Sequence, residues 1–164
     1  MRSLVALDSH DLRALACPWC GRTPQGASGG FKAVRDGRVV GVVAFAPGSE
    51  LGGMYPAQSV VVLQLWVQRE DLGELIGTQL VQRLAAAAPA RTRCVVAGGT
   101  HGAGDCRHLP AAWLERQGFV EAVTGAQWKL DLRRTVRVPD ALRGVADTIG
   151  RLVRPARPAA ANRE

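Results

Sequence analysis

The stretch from Trp66 to Leu84, WVQREDLGELIGTQLVQRL, limits what this chain can fold into more than any other. Ahead of it, Val60-Val61-Val62-Leu63 is fully apolar, the pattern of a strand covered on both faces. Within it, Ile76, Leu80, Val81 and Leu84 recur at helical spacing. Glycines stand at 73 and 77, where strand gives way to helix. A buried strand, a glycine turn and an amphipathic helix, in that order, aim backbone N–H groups of the turn and of the helix N-terminus at one spot. Proteins hold phosphate chains in this way.

The other elements follow from turn and breaker residues. Residues 1–7 read as a short edge strand, and Asp8 or Ser9 caps a helix that stops at Cys17-Pro18. Residues 21–30, rich in Gly, Ser and Pro, read as loop. Residues 31–35 and 39–46, joined by Asp36-Gly37, form the clearest hairpin. Ser59–Val67 is the central strand, and 94–97 a short buried one before a glycine-rich loop. Pro110 starts a helix that Gly118 stops, and 119–123 and 127–132 pair around Thr124-Gly125. A last helix is expected over 139–153, with Leu142, Val145, Ile149 and Leu152 on one face and disorder from Pro155. Hairpins pair antiparallel and a strand–helix–strand unit pairs parallel, so the fold class is α/β, a mixed sheet with helices on its faces.

Charge locates the basic part of the chain. Of the net charge of +7, residues 133–164 hold eight arginines against three acids, a net of +5, and the remainder carries only +2. The organisation expected is one domain over 1–132 and a basic appendage over 133–164. A solvated basic tail is the simpler reading of that appendage, and contact with an acidic partner the sharper one. No aromatic residue is interleaved with these arginines, so no nucleic-acid partner is expected. No run approaches the roughly 20 apolar residues of a membrane span, and the first residues meet acid too soon for a secretory leader. The expected address is the cytoplasm, where cysteines stay reduced.

With this order in place, the chain from about Val39 to Leu132 resembles the GNAT superfamily of acyl-CoA-dependent N-acyltransferases. Val67-Gln68-Arg69-Glu70-Asp71-Leu72-Gly73-Glu74-Leu75-Ile76-Gly77-Thr78-Gln79-Leu80 is similar to that family's pyrophosphate loop, V-x-P-E-x-R-G-x-G-hydrophobic-G-x-x-L. Trp113-Leu114-Glu115-Arg116-Gln117-Gly118-Phe119 is similar to its late helix ending in Gly-Phe. A Cys-x-x-Cys near the start, a Cys before the late helix and a basic C-terminal helix resemble an actinobacterial-type subset. The resemblance implies a mostly antiparallel sheet with a splayed central strand and helices on both faces. It implies acetyl-CoA or another acyl-CoA as co-substrate and an amine, small or on a protein, as acceptor. The backbone of Leu72, Gly73, Glu74, Leu75, Ile76, Gly77 and Thr78 would hold the diphosphate, and that of Leu65, Trp66 and Val67 the pantetheine arm.

The sequence departs from the family pattern at instructive places. Leu72 stands where the family has Arg or Gln, and Leu75 where it has a glycine, which matters if that position needs positive φ. Glu70, Asp71 and Glu74 surround the turn against Arg69 alone, so each is expected to repel a diphosphate unless it serves only the helix N-terminus. Leu114 takes the place of a tyrosine that many members use as acid toward the leaving thiolate. The nearest protic groups are Cys106 and His108, with Cys106 the candidate acid or a transient acyl carrier, and a packed core cysteine the competing reading. No general base is evident.

Two further features stay open. In Cys17-Pro18-Trp19-Cys20, the spacing lets two thiolates reach one zinc, with Cys94, His101, Cys106 and His108 as conceivable completing ligands. A metal-free structural pair ranks first, a zinc site second and a redox pair third. The four tryptophans read as core or interface residues, with Trp66 lining an acyl or acceptor pocket if it faces the cleft. The leading function is therefore acyl transfer to a primary amine. The alternative is a binding or assembly module of the same fold with weakened catalysis, acting through a partner protein; for either function the expected assembly is a homodimer or a complex with a partner.

Overall fold

A computed structural model describes residues 1–133 of the 164. The helix expected over 139–153 and the tail after it lie outside the described residues. Met1–Leu132 is one compact unit. Its elements run β1 (Arg2–Ala6), α1 (Ser9–Ala14), β2 (Gly29–Arg35), β3 (Arg38–Pro47), β4 (Ser59–Val67), α2 (Ile76–Ala87), β5 (Cys94–Thr100), β6 (Leu109–Pro110), α3 (Ala111–Arg116), β7 (Val120–Val123) and β8 (Gln127–Asp131). The sheet order is β1-β2-β3-β4-β5-β8-β7, with β6 beside β5. Only the β4–β5 and β5–β6 pairs are parallel. The mixed, mostly antiparallel sheet is as expected, and β4 sits at its middle.

Each expected turn has its cause in the chain. Asp36 and Gly37 both take positive φ, 50° and 77°, the geometry that lets a two-residue turn match the twist of β2 and β3. The helix α1 starts on a reciprocal cap: Asp11 N–H donates to Asp8 Oδ1 at 2.8 Å and Asp8 N–H to Asp11 Oδ2 at 3.1 Å. Asp11 also receives the Lys32 ammonium at 2.7 Å, which ties the helix to β2.

The main core lies between one sheet face and the helices α2 and α3. From α2 it takes Ile76, Leu80, Val81 and Leu84, from α3 Ala111 and Leu114, and from the strands Val43, Val60, Val62, Leu65 and Trp128. Each large aliphatic side chain so buried is worth about 1.5–3 kcal/mol, so α2 is held by packing rather than by helix propensity. On the other face Cys17, Val42, Trp66 and Cys106 cluster with Leu15 from beyond α1, and the loop after β3 lays Leu51 and Tyr55 over Val61 and Val96.

The central strand carries an irregularity that opens the site. Ala44 pairs with Gln64 but Phe45 with Val62, so Leu63 is an extra residue in β4. Such a bulge bends its strand and breaks its ladder. Pairing of β4 with β5 ends at Val62–Ala97, and beyond that point the two strands part.

Candidate functional site

The gap where β4 and β5 part is a cleft of about 810 Å³, within the range of small-molecule sites. One wall is the end of β4, with Leu65, Trp66 and Val67; the mouth is Leu72, Gly73, Leu75, Ile76, Gly77 and Thr78. The opposite wall is Gly104, Asp105, Cys106 and Leu109, with Trp113, Arg116 and Gln117 from α3, and Trp19 with Cys20 close a third side. Of the sequence-picked coenzyme residues, all but Glu74 line this one space.

The turn at the mouth is a nest of backbone donors. Gly73 has φ +84°, and Leu75, at the cap of α2, has φ +60° and ψ 16°, the left-handed region. For leucine that conformation costs about 1–2 kcal/mol, so the strain that this position threatened is present. The Leu75 side chain is 67% exposed and stands at the mouth of the cleft. No side chain caps α2, and its ladder begins with Gln79 N–H on the Leu75 carbonyl at 2.9 Å. The N–H groups of Ile76, Gly77 and Thr78 are thus the orphan donors of a helix start. Gly77 packs close to α3: a Cβ there would stand 3.1 Å from the Trp113 ring, which would have to shift by a few tenths of an ångström.

The acids around the turn differ from the expectation. Asp71, only 2% exposed, accepts Arg35 Nη1 at 2.9 Å and Arg38 Nη2 at 3.0 Å. Glu74 is bonded to Arg35, with Arg2 at 3.7 Å, and Glu70 lies 3.8 Å from Arg38. The hydrogen bond from Arg35 holds the Glu74 carboxyl below its ordinary value and raises the guanidinium in turn. These acids are neutralised by arginines of β1 and of the β2–β3 hairpin, which local sequence could not set beside them. Arg69, the one cation that the sequence placed there, instead lies over the Trp19 ring at 4.6 Å.

Along β4, alternation puts the backbone groups of Leu65 and Val67 on the cleft side, since Gln68 N–H reaches back to Val40 of β3. Leu65 N–H donates to the Cys106 carbonyl at 2.7 Å, and the Val67 carbonyl accepts the Trp19 indole N–H at 2.8 Å. Between these two contacts lie the Leu65 carbonyl and the Val67 N–H, spaced to pair with one amide as a neighbouring strand would. Trp66 turns the other way, buried against Cys17 and Cys106, and its indole N–H is buried with no partner.

Near the inner end, burial pushes the Cys106 thiol up to about 12, with only the Gln64 amide N–H, 3.4 Å from the sulfur, pulling it down. A thiol held so firmly protonated is a weak proton donor at neutral pH. Asp105 is raised by burial, but N–H groups of Arg107 and His108 on its Oδ1, at 2.7 and 2.6 Å, outweigh this and leave it below its ordinary value. His108 is exposed, 3.4 Å from Asp105, and is not among the lining residues. His101 pairs with Glu121 at 2.9 Å. Leu114 is wholly in the core, and its neighbour Trp113 faces the cleft. Trp19, Asp105, Arg116 and Gln117 were not singled out by sequence, because nothing in local spacing joins segments so far apart.

No family model matches this chain, and no curated protein matches its sequence. Solved structures do match its shape. An N-acetyltransferase from Staphylococcus aureus Mu50 aligns at a TM-score of 0.56 and 18% identity, over 80% of this chain and 99% of that one. The ribosomal-protein-S18-alanine N-acetyltransferase of Escherichia coli aligns at 0.58 and 17%, over 80% and 94%. The yncA protein of Salmonella typhimurium, solved with its cofactor acetyl-CoA, aligns at 0.56 and 18%, over 80% and 94%. At these identities the likeness is one of fold: the sheet and its helices are arranged as in N-acetyltransferases.

Proposed function

We propose that this protein transfers an acyl group, most simply acetyl, from coenzyme A to a primary amine. One observation carries the reading: the uncapped N–H groups at Gly73–Thr78 and the strand edge at Leu65–Val67 open into the same 810 Å³ cleft. A diphosphate fits the first, where turn amides and the helix dipole stabilise negative charge without a side chain. A pantetheine amide fits the second, between the Leu65 carbonyl and the Val67 N–H. The thioester then comes to rest near Cys106 and Asp105, and aminolysis there is served chiefly by proximity and orientation. That the acetyl-CoA-bound yncA protein shares the fold supports this placement of the donor.

The residues divide the work. Arg116 supplies the cation that Leu72 does not. Pairing of Asp71 and Glu74 with arginines removes the repulsion that those acids would exert on phosphate. Asp105, ionised at neutral pH, is the carboxylate placed to hold the acceptor's ammonium beside the thioester; the ammonium gives up its proton to water, and the free amine then attacks. Cys106 forms a wall of the thioester pocket in this reading rather than acting as the acid.

Thermal unfolding with acetyl-CoA tests the donor site. At a hundredfold excess over Kd a specific ligand adds about 2.7 kcal/mol, and desulfo-CoA should do the same while free adenosine does not. A flat response to all three would favour the binding-module alternative.

A further inference from the structure

Three cysteines from distant parts of the sequence converge at the inner end of the cleft. The Sγ atoms of Cys17, Cys20 and Cys106 all lie within 4.8 Å of one another, and Cys20 and Cys106 are 3.4 Å apart. A tetrahedral zinc with Zn–S bonds of about 2.3 Å needs sulfurs about 3.8 Å apart, so the trio is already close to the required triangle. We propose that Cys17, Cys20 and Cys106 form a zinc site that pins the N-terminal turn to the cleft wall and leaves its fourth coordination position facing the cleft.

The local folding explains how the triangle is made. Cys17 N–H donates to the Arg22 carbonyl and Gly21 N–H to the Cys17 carbonyl, both at 2.8 Å, closing a tight turn across the Cys-x-x-Cys segment. The third ligand arrives because the Cys106 carbonyl is held by Leu65 N–H of β4 at 2.7 Å. Cys94, the remaining cysteine, sits in β5 beside Val61 and Val96, and is not part of the cluster.

The surroundings suit thiolates. The Gln64 amide, 1% exposed, donates to Cys106 Sγ at 3.4 Å and to the Arg22 carbonyl at 2.8 Å, and its Oε1 is a buried acceptor with no partner. The amide thus ties the Cys106 sulfur to the turn that carries Cys17 and Cys20. Three soft sulfur ligands select zinc over the hard divalent cations. Cys20 and Cys106 both line the cleft, which leaves the fourth position to water or to a thiol entering with a ligand.

The test uses the full chain purified under reducing conditions without chelator. Elemental analysis should find about one zinc per chain, and cobalt substitution should give the thiolate charge-transfer and tetrahedral d–d bands of a three-sulfur site. Both signals should vanish in Cys20→Ser, whose side chain is exposed and outside the packed core, and in Cys17→Ser and Cys106→Ser, but persist in Cys94→Ser. Zinc that stays below a tenth of an equivalent with no cobalt bands, in protein whose thiols titrate as reduced, overturns the site. So does a Cys20–Cys106 disulfide that forms in air while zinc is supplied, since it would assign the pair to redox chemistry. None of these readouts depends on coenzyme binding, so failure here is separable from failure of the transferase reading.

Discussion

Replacing Asp71 by alanine separates the architectural role of the turn from its ligand-binding role. Asp71 is 2% exposed and accepts two charge-assisted hydrogen bonds, from Arg35 at 2.9 Å and Arg38 at 3.0 Å. Such bonds are worth about 1.5–3 kcal/mol each. Both guanidinium groups keep access to water, so the lower end applies and the loss is about 3 kcal/mol. For a domain of this size that is roughly 6–12 °C in melting temperature. Asp71→Asn keeps the shape and surrenders the charge, and should cost about half as much. The effect on acetyl-CoA runs the other way. Removing the acid leaves two arginines less neutralised beside the mouth, so binding in low salt should hold or tighten, and the gain should fade at high salt. Thermal melts and calorimetric titrations of the three proteins read both quantities. A melting temperature unchanged within 2 °C, or coenzyme binding lost in step with stability, would refute the argument that arginines silence these acids.

Leu75→Gly should relieve about 1–2 kcal/mol of left-handed strain and give back most of it as chain entropy, leaving stability within about 1 kcal/mol while acetyl-CoA binds tighter by titration. Arg116→Ala should raise the KM for acetyl-CoA about fivefold, the worth of one exposed charge-assisted bond near 1 kcal/mol, with kcat unchanged. In metal-free protein, iodoacetamide should label Cys20 first, below the pH at which ordinary thiols react, and leave Cys106 unlabelled, as peptide mapping would show. Asp11 is held below its ordinary value chiefly by the Lys32 hydrogen bond; its stabilisation is present above the unfolded carboxylate pKa of about 3.9 and lost as pH falls through the lower folded value. Lys32→Met should therefore flatten the acid limb of stability against pH, and an unchanged limb would discount the pair.

The framework was legible where one segment carries its own signal. The apolar run of β4, the Asp36-Gly37 turn, and the spacing of Ile76, Leu80, Val81 and Leu84 each specify an element without help from elsewhere. The positive φ of Leu75 was signalled only through the resemblance, which has a glycine at that position. What could not be read were partnerships across the sheet. Arg2, Arg35 and Arg38 reach Asp71 and Glu74 only because β1, β2 and β3 stack beside β4. Trp19 meets Val67, and Cys20 meets Cys106, across 48 and 86 residues of chain. The one-residue bulge at Leu63 that splays β4 from β5 leaves no mark in an unbroken apolar run. Fold came from periodicity, and the character of the site came from contacts that periodicity does not encode.

The proposed function stands or falls on the amides from Gly73 to Thr78 binding the diphosphate of coenzyme A. Amide chemical-shift perturbation of isotopically labelled protein, titrated with acetyl-CoA, reads those N–H groups directly. Large saturable downfield shifts are expected at Gly73, Ile76, Gly77 and Thr78, followed by a smaller one at Val67. Saturable shifts confined to other parts of the chain, with this turn unmoved, would contradict it.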